Sequence, residues 1–108
     1  MRIKEIADAY DVKYELIGPN DPGLEPLIVF NKENACEIIE KLRCECIPIT
    51  GCAVWRITSE GVEALMPIFE TNRFDHESYP TFIQRSCNEV LNFIKNYPQY
   101  TSDMYFEF

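Results

Sequence analysis

The spacing of hydrophobic residues predicts three helices. Apolar side chains recur every three or four positions over residues 2–10, over 32–44 and over a long stretch between Pro80 and Pro98. Asn31 is well suited to cap the second helix. Pro80 lies near the start of the third helix, where a missing N–H costs nothing, and Pro98 ends it.

Short runs of β-branched and aromatic residues predict the strands. Three of these runs lie at 26–30, 53–58 and 104–108. A turn at Ser59-Glu60-Gly61 follows the second run, so residues 62–66 are predicted to return as the other half of a hairpin. Turn-forming residues at 18–23 and the aperiodic segment 67–78 predict loops.

Helices and strands therefore interleave irregularly along the chain. This order favours an α+β two-layer sandwich, with a mostly antiparallel sheet of about four to six strands and about three helices. The chain has 108 residues, which is enough for one hydrophobic core, and we expect a single domain over 1–108.

The charge balance narrows the classes of partner. Ten Lys and Arg stand against eighteen Asp and Glu, a net charge of −8 at pH 7. Nucleic acid and anionic membrane surfaces both require a cationic protein surface, so neither is expected as a partner. A basic protein partner is compatible with this charge, and so is an acidity that only promotes solubility.

Composition also indicates a compartment. No apolar run approaches the roughly 20 residues of a membrane span, and the start opens directly into an amphipathic pattern unlike that of a signal peptide. Five cysteines, an odd number without the spacing of a disulfide scaffold, predict free and mostly buried thiols. We therefore expect a cytoplasmic protein.

No motif of a catalytic, metal or cofactor site is present. Cys44 and Cys46 are separated by one residue and no second ligand pair follows, so neither a metal nor a cofactor is expected. His76 is the only histidine, and a cysteine enzyme would have to pair it with Cys52 or Cys87. That enzyme remains an alternative hypothesis, because such pairs form in space rather than in sequence.

Acidic residues concentrate between Thr58 and Ser78. Arg73 is the only base in this segment, and aromatic residues are interleaved with the acids. An acidic rim around an aromatic anchor is typical of a protein-binding surface, although a solvated loop has the same composition. The predicted partner-binding residues are Glu60, Glu63, Glu70, Phe74, Asp75 and Glu77.

The order of motifs resembles a known family. Ile47-Pro48-Ile49-Thr50-Gly51-Cys52-Ala53-Val54-Trp55 is followed by a loop from Pro67 to Asn72, a helix with Tyr79 and Ser86, and Ile94-Lys95-Asn96-Tyr97-Pro98. Over roughly 27–108 this order is similar to immunity protein family forty of the bacterial polymorphic-toxin systems. That family usually has a Gly-Gly-Asp-Val-aromatic run where this chain has Gly51 to Trp55, so any role of that Asp does not carry over to Ala53.

The resemblance implies a small cytosolic protein that binds and neutralises a cognate toxin domain, without an active site of its own. The net charge of −8 favours a basic toxin domain as the partner. A homo-oligomeric regulatory or scaffold module is the first alternative, and the cysteine enzyme is the second.

Overall fold

The computed structural model describes residues 2–18 and 23–108, and most of the loop predicted at 18–23 lies outside these residues. Three helices and five strands form in the described part of the chain. In chain order they are α1 (Arg2–Ala9), β1 (Glu15–Ile17), β2 (Leu27–Val29), α2 (Lys32–Cys44), β3 (Gly51–Thr58), β4 (Gly61–Glu70), α3 (Tyr79–Lys95) and β5 (Met104–Glu107). The predicted α+β class, with its helix and strand numbers, is confirmed.

The two longer helices begin at the predicted residues because both are capped by side chains. The Asn31 side chain accepts a hydrogen bond from the Asn34 N–H at 2.8 Å, and Ser78 caps α3 in the same way through the Thr81 N–H at 3.3 Å. Pro80 lies in the first turn of α3, as predicted.

All strand pairs are antiparallel. β3 pairs with β4 on one side and with β5 on the other, and β1 pairs with β2. Phe30, just after β2, exchanges two backbone hydrogen bonds with Phe106 of β5, at 2.9 and 2.7 Å. This bridge joins the pairs into one layer in the order β1-β2-β5-β3-β4, with β1 and β4 at its edges.

The hairpin differs from its prediction. β4 continues to Glu70, so residues 67–70 belong to a strand and the loop predicted at 67–78 is wrong at its start. Cys52 pairs with Phe69 whereas Val54 pairs with Leu65, so two additional residues of β4 are accommodated opposite Ala53. This bulge breaks the alternation of apolar and polar residues, and the alternation was the signal on which the prediction depended.

One hydrophobic core lies between the helices and one face of the sheet. Its fully buried large side chains come from both layers: Phe30, Ile38, Ile39, Val54, Val90, Ile94, Met104 and Phe106. Trp55 lies outside this core. Its side chain is half-buried on the opposite face of β3 and is absent from the core cluster, and its indole N–H donates to Glu107 at 2.9 Å.

Candidate functional site

The six predicted partner-binding residues lie in two groups rather than one patch. Glu60 and Glu63 lie at the β3–β4 turn, whereas Glu70 ends β4 at the other end of the hairpin. Their partners on β3, Arg56 and Gly51, are five residues apart, so at about 3.3 Å per strand residue Glu63 and Glu70 are roughly 17 Å apart. Phe74, Asp75 and Glu77 belong to the second group, in the loop that leads from β4 to α3.

In the turn group, only one of the two acids is neutralised by a neighbour. Arg56 of β3 lies opposite Glu63, and its Nη1 is 3.0 Å from the Glu63 carboxylate. The same guanidinium is 3.6 Å from Asp103, which precedes β5. Glu60 has no ion pair within 4 Å in the described ranges 2–18 and 23–108, so its charge faces solvent.

Arg85, on the first half of α3, organises the loop group. Its guanidinium forms a two-pronged ion pair with Glu77, with Nε at 2.7 Å and one terminal nitrogen at 2.9 Å from the carboxylate oxygens. The same side chain donates to the Asn72 carbonyl at 2.8 Å and to the Thr71 hydroxyl at 2.9 Å. Four contacts from one side chain therefore hold both ends of the loop against α3.

Glu77 is consequently an internal residue of the loop. Only 7% of its side chain is exposed, and its carboxylate also accepts the Phe74 N–H at 3.0 Å. The hydrogen bonds from Arg85 lower the pKa of the Glu77 carboxyl to about 2, from an ordinary value of 4.5. It therefore stays charged at any physiological pH, and its charge is used to order the loop.

The Phe74 side chain lies on the outside of this network. Its ring stacks on the guanidinium of Arg85, with 3.9 Å between the guanidinium carbon and the ring centroid, and yet 60% of the residue is exposed. Asp75 beside it is exposed, as is Glu70. Glu70 at the end of β4 and Phe74 and Asp75 in the loop therefore present one aromatic ring and two carboxylates to solvent.

The role of Arg85 was not predicted, because this residue lies outside the acidic segment between Thr58 and Ser78. Arg85 lies further along the chain and reaches the loop only once α3 has formed. One local signal was available: Glu89 lies four residues after Arg85, and the two side chains form an ion pair at 2.9 Å along the helix.

The cysteines do not assemble a site with His76. Cys52 and Cys87 are buried, Cys36 is half-buried, and Cys44 and Cys46 are exposed, so the expectation of mostly buried thiols is wrong. Burial raises the pKa of the Cys52 thiol to about 12 and also raises that of Cys87, which disfavours the reactive thiolate. Among the described residues neither thiol hydrogen-bonds to His76, and no three metal-ligating side chains come together.

No helix in the described part of the chain has the length and hydropathy needed to cross a bilayer. Fold and surface together define a small α+β domain with an acidic hairpin and an acidic, aromatic loop. A family model, Immunity protein 40, matches residues 22–108, and the chain belongs to this family. Neither the curated proteins nor the solved structures contain a significant match.

Proposed function

We propose that this chain is an immunity protein that binds and neutralises a cognate toxin domain, one to one, in the cytoplasm of the producing bacterium. The observation that carries the proposal is the match of residues 22–108 to Immunity protein 40, which covers all elements from β2 to β5. Inhibition of this kind needs a stable surface and no catalytic group, and the deep burial of Cys52 and Cys87 fits that requirement.

The toxin domain is proposed to be basic. With a net charge of −8, the chain would attract a cationic partner from a distance and raise the association rate, by an amount that falls with salt. Glu60, Glu63, Glu70 and Asp75 are proposed to supply the acidic contacts and Phe74 an aromatic anchor. Glu77, with its carboxylate held by Arg85, is proposed to position Phe74 rather than to touch the partner.

Growth rescue tests the function. The chain is expressed in bacteria together with the toxin domain encoded next to it, and the purified pair is analysed by gel filtration. Rescue and a one-to-one complex are expected. Folded protein that neither rescues growth nor forms a complex would contradict the proposal.

Charge reversal tests the site. The double variant Glu70→Lys with Asp75→Lys should associate with the toxin domain at least tenfold more slowly at low salt, with a weaker dependence on salt. Glu33→Lys with Glu37→Lys on α2 is the matched control, because both residues are exposed and the net charge changes equally. Equal effects of the two double variants would show that only overall charge matters and would exclude this acidic surface.

A further inference from the structure

β4 is a long strand with one unoccupied edge. It runs for ten residues and pairs with β3, and no other strand lies along its outer edge in the described part of the chain. Eight of its ten residues are exposed. An edge of this length offers a template for another strand unless it is interrupted.

The direction of the free backbone groups follows from the neighbouring pair. Ile57 donates its N–H to the Asp103 carbonyl at 2.9 Å, on the β5 side of β3, so its backbone points away from β4. Its partner Val62 therefore directs its own N–H and C=O outward. Ala64, two residues further along, points the same way.

The side chains at this edge are apolar where solvent-facing residues are usually charged. Val62 is 47% exposed, Met66 77% and Ile68 45%; Val62 lies in the regularly paired part of the strand, and Met66 and Ile68 lie in the bulge opposite Ala53. Charged residues and proline are the usual protection of an edge strand. Here Pro67 interrupts only the second half, which leaves 61–66 able to pair.

The negative charge of β4 determines which kind of partner strand can pair with its outer edge. β4 has no basic residue, and Glu63 and Glu70 lie on it with Glu60 just before it. Glu60 and Glu70 have no ion pair within 4 Å among residues 2–18 and 23–108. A second copy paired along this edge would bring two sets of these carboxylates together, which is unfavourable, whereas a cationic strand would neutralise them.

We infer that the outer edge of β4, over residues 61–66, is a docking site for an extended cationic segment of a partner protein, which adds to the sheet as a further strand. Main-chain hydrogen bonds to Val62 and Ala64 would hold the segment. Its apolar side chains would pack beside Val62 and Met66, and its Lys or Arg residues would meet Glu60 at the turn end of the strand. The inference deepens the proposed function, because the toxin domain is the expected source of that segment.

Amide hydrogen exchange in the complex with the neighbouring toxin domain tests this geometry. The Val62 and Ala64 amides should exchange at least tenfold more slowly in the complex than in the free protein. Ala64→Pro removes an outward N–H that β3 does not use, and it should weaken binding at least tenfold. Protection confined to the helices, with unchanged exchange at Val62 and Ala64, would overturn the inference.

The opposite edge supplies a matched control. Phe30 points its backbone toward β5, so Ile28 does the same and its partner Leu16 points outward from β1. Leu16→Pro is therefore the same substitution at the other edge and should leave binding unchanged. If Ala64→Pro fails to fold, Val62→Lys against Leu16→Lys replaces the pair, and again only the β4 variant should bind more weakly.

A synthetic peptide separates this inference from the proposed function. A capped peptide that alternates Lys with Val is titrated into the protein, with a Glu-for-Lys peptide as control. NMR chemical-shift changes at the Val62 and Ala64 amides with the Lys peptide, and not with the Glu peptide, would support the edge site even if the toxin domain does not bind. The change at Val62 should be lost in Ala64→Pro. Absence of binding by both the peptide and the toxin domain would overturn it, and so would a dimer that Ala64→Pro dissociates.

Discussion

Ser86 is a fully buried polar side chain in the core, and its removal should be costly. The hydroxyl on α3 accepts the Ile49 N–H at 3.2 Å and donates to the Ile83 carbonyl at 3.2 Å. Ile49 is 4% exposed and lies in the connection from α2 to β3. The hydrogen bond from Ile49 to Ser86 therefore joins the α2–β3 connection to α3.

Ser86→Ala leaves the Ile49 amide without a partner in a site closed to water. The Ile83 carbonyl remains in the middle of α3 and keeps its helical partner. Ser86→Ala should therefore lower the free energy of unfolding by about 1–3 kcal/mol, the cost of leaving one buried donor unsatisfied. For a domain of this size, each kcal/mol lowers the melting temperature by about 4–8 °C.

Urea unfolding monitored by circular dichroism measures this loss. The matched control is Ser59→Ala, which removes a hydroxyl from the exposed β3–β4 turn and should change stability by less than about 0.5 kcal/mol. A loss for Ser86→Ala no larger than that of the control would refute the reasoning. It would mean that the Ile49 amide finds another partner at no cost.

The remaining predictions concern titration of the loop and the thiols. The folded-state pKa of Glu77 is lowered to about 2, so its ion pair stabilises the fold above pH 4.5 and this contribution is lost as the pH falls toward 2. Glu77→Gln should remove that part of the acid dependence of the unfolding free energy, whereas the exposed Glu37→Gln should retain it; identical acid profiles would contradict the assignment. Titration with a disulfide reagent at neutral pH should label the exposed thiols rapidly and the buried thiols only on unfolding, and fast labelling of a buried thiol would revive the cysteine-enzyme alternative. The exposed thiols are Cys44 and Cys46, and the buried thiols are Cys52 and Cys87.

The local elements were determined by the sequence itself. α2 and α3 form where periodic apolar residues meet a capping side chain, because helical hydrogen bonds and caps join residues only a few positions apart. The β3–β4 turn and the α+β class followed from the same kind of local signal. The family resemblance, carried by short motifs, was also visible before the fold.

The surface was decided by tertiary structure. Arg85 holds a loop that begins more than ten residues earlier, so its role in positioning Phe74 appears only when α3 packs beside β4. Trp55 lies opposite the core because the helices cover only one face of the sheet, and a strand pattern does not say which face that is. β4 is exposed and has free backbone groups because it lies at the edge of the sheet. The strand order that places it there depends on pairings between distant segments, which no local pattern encodes.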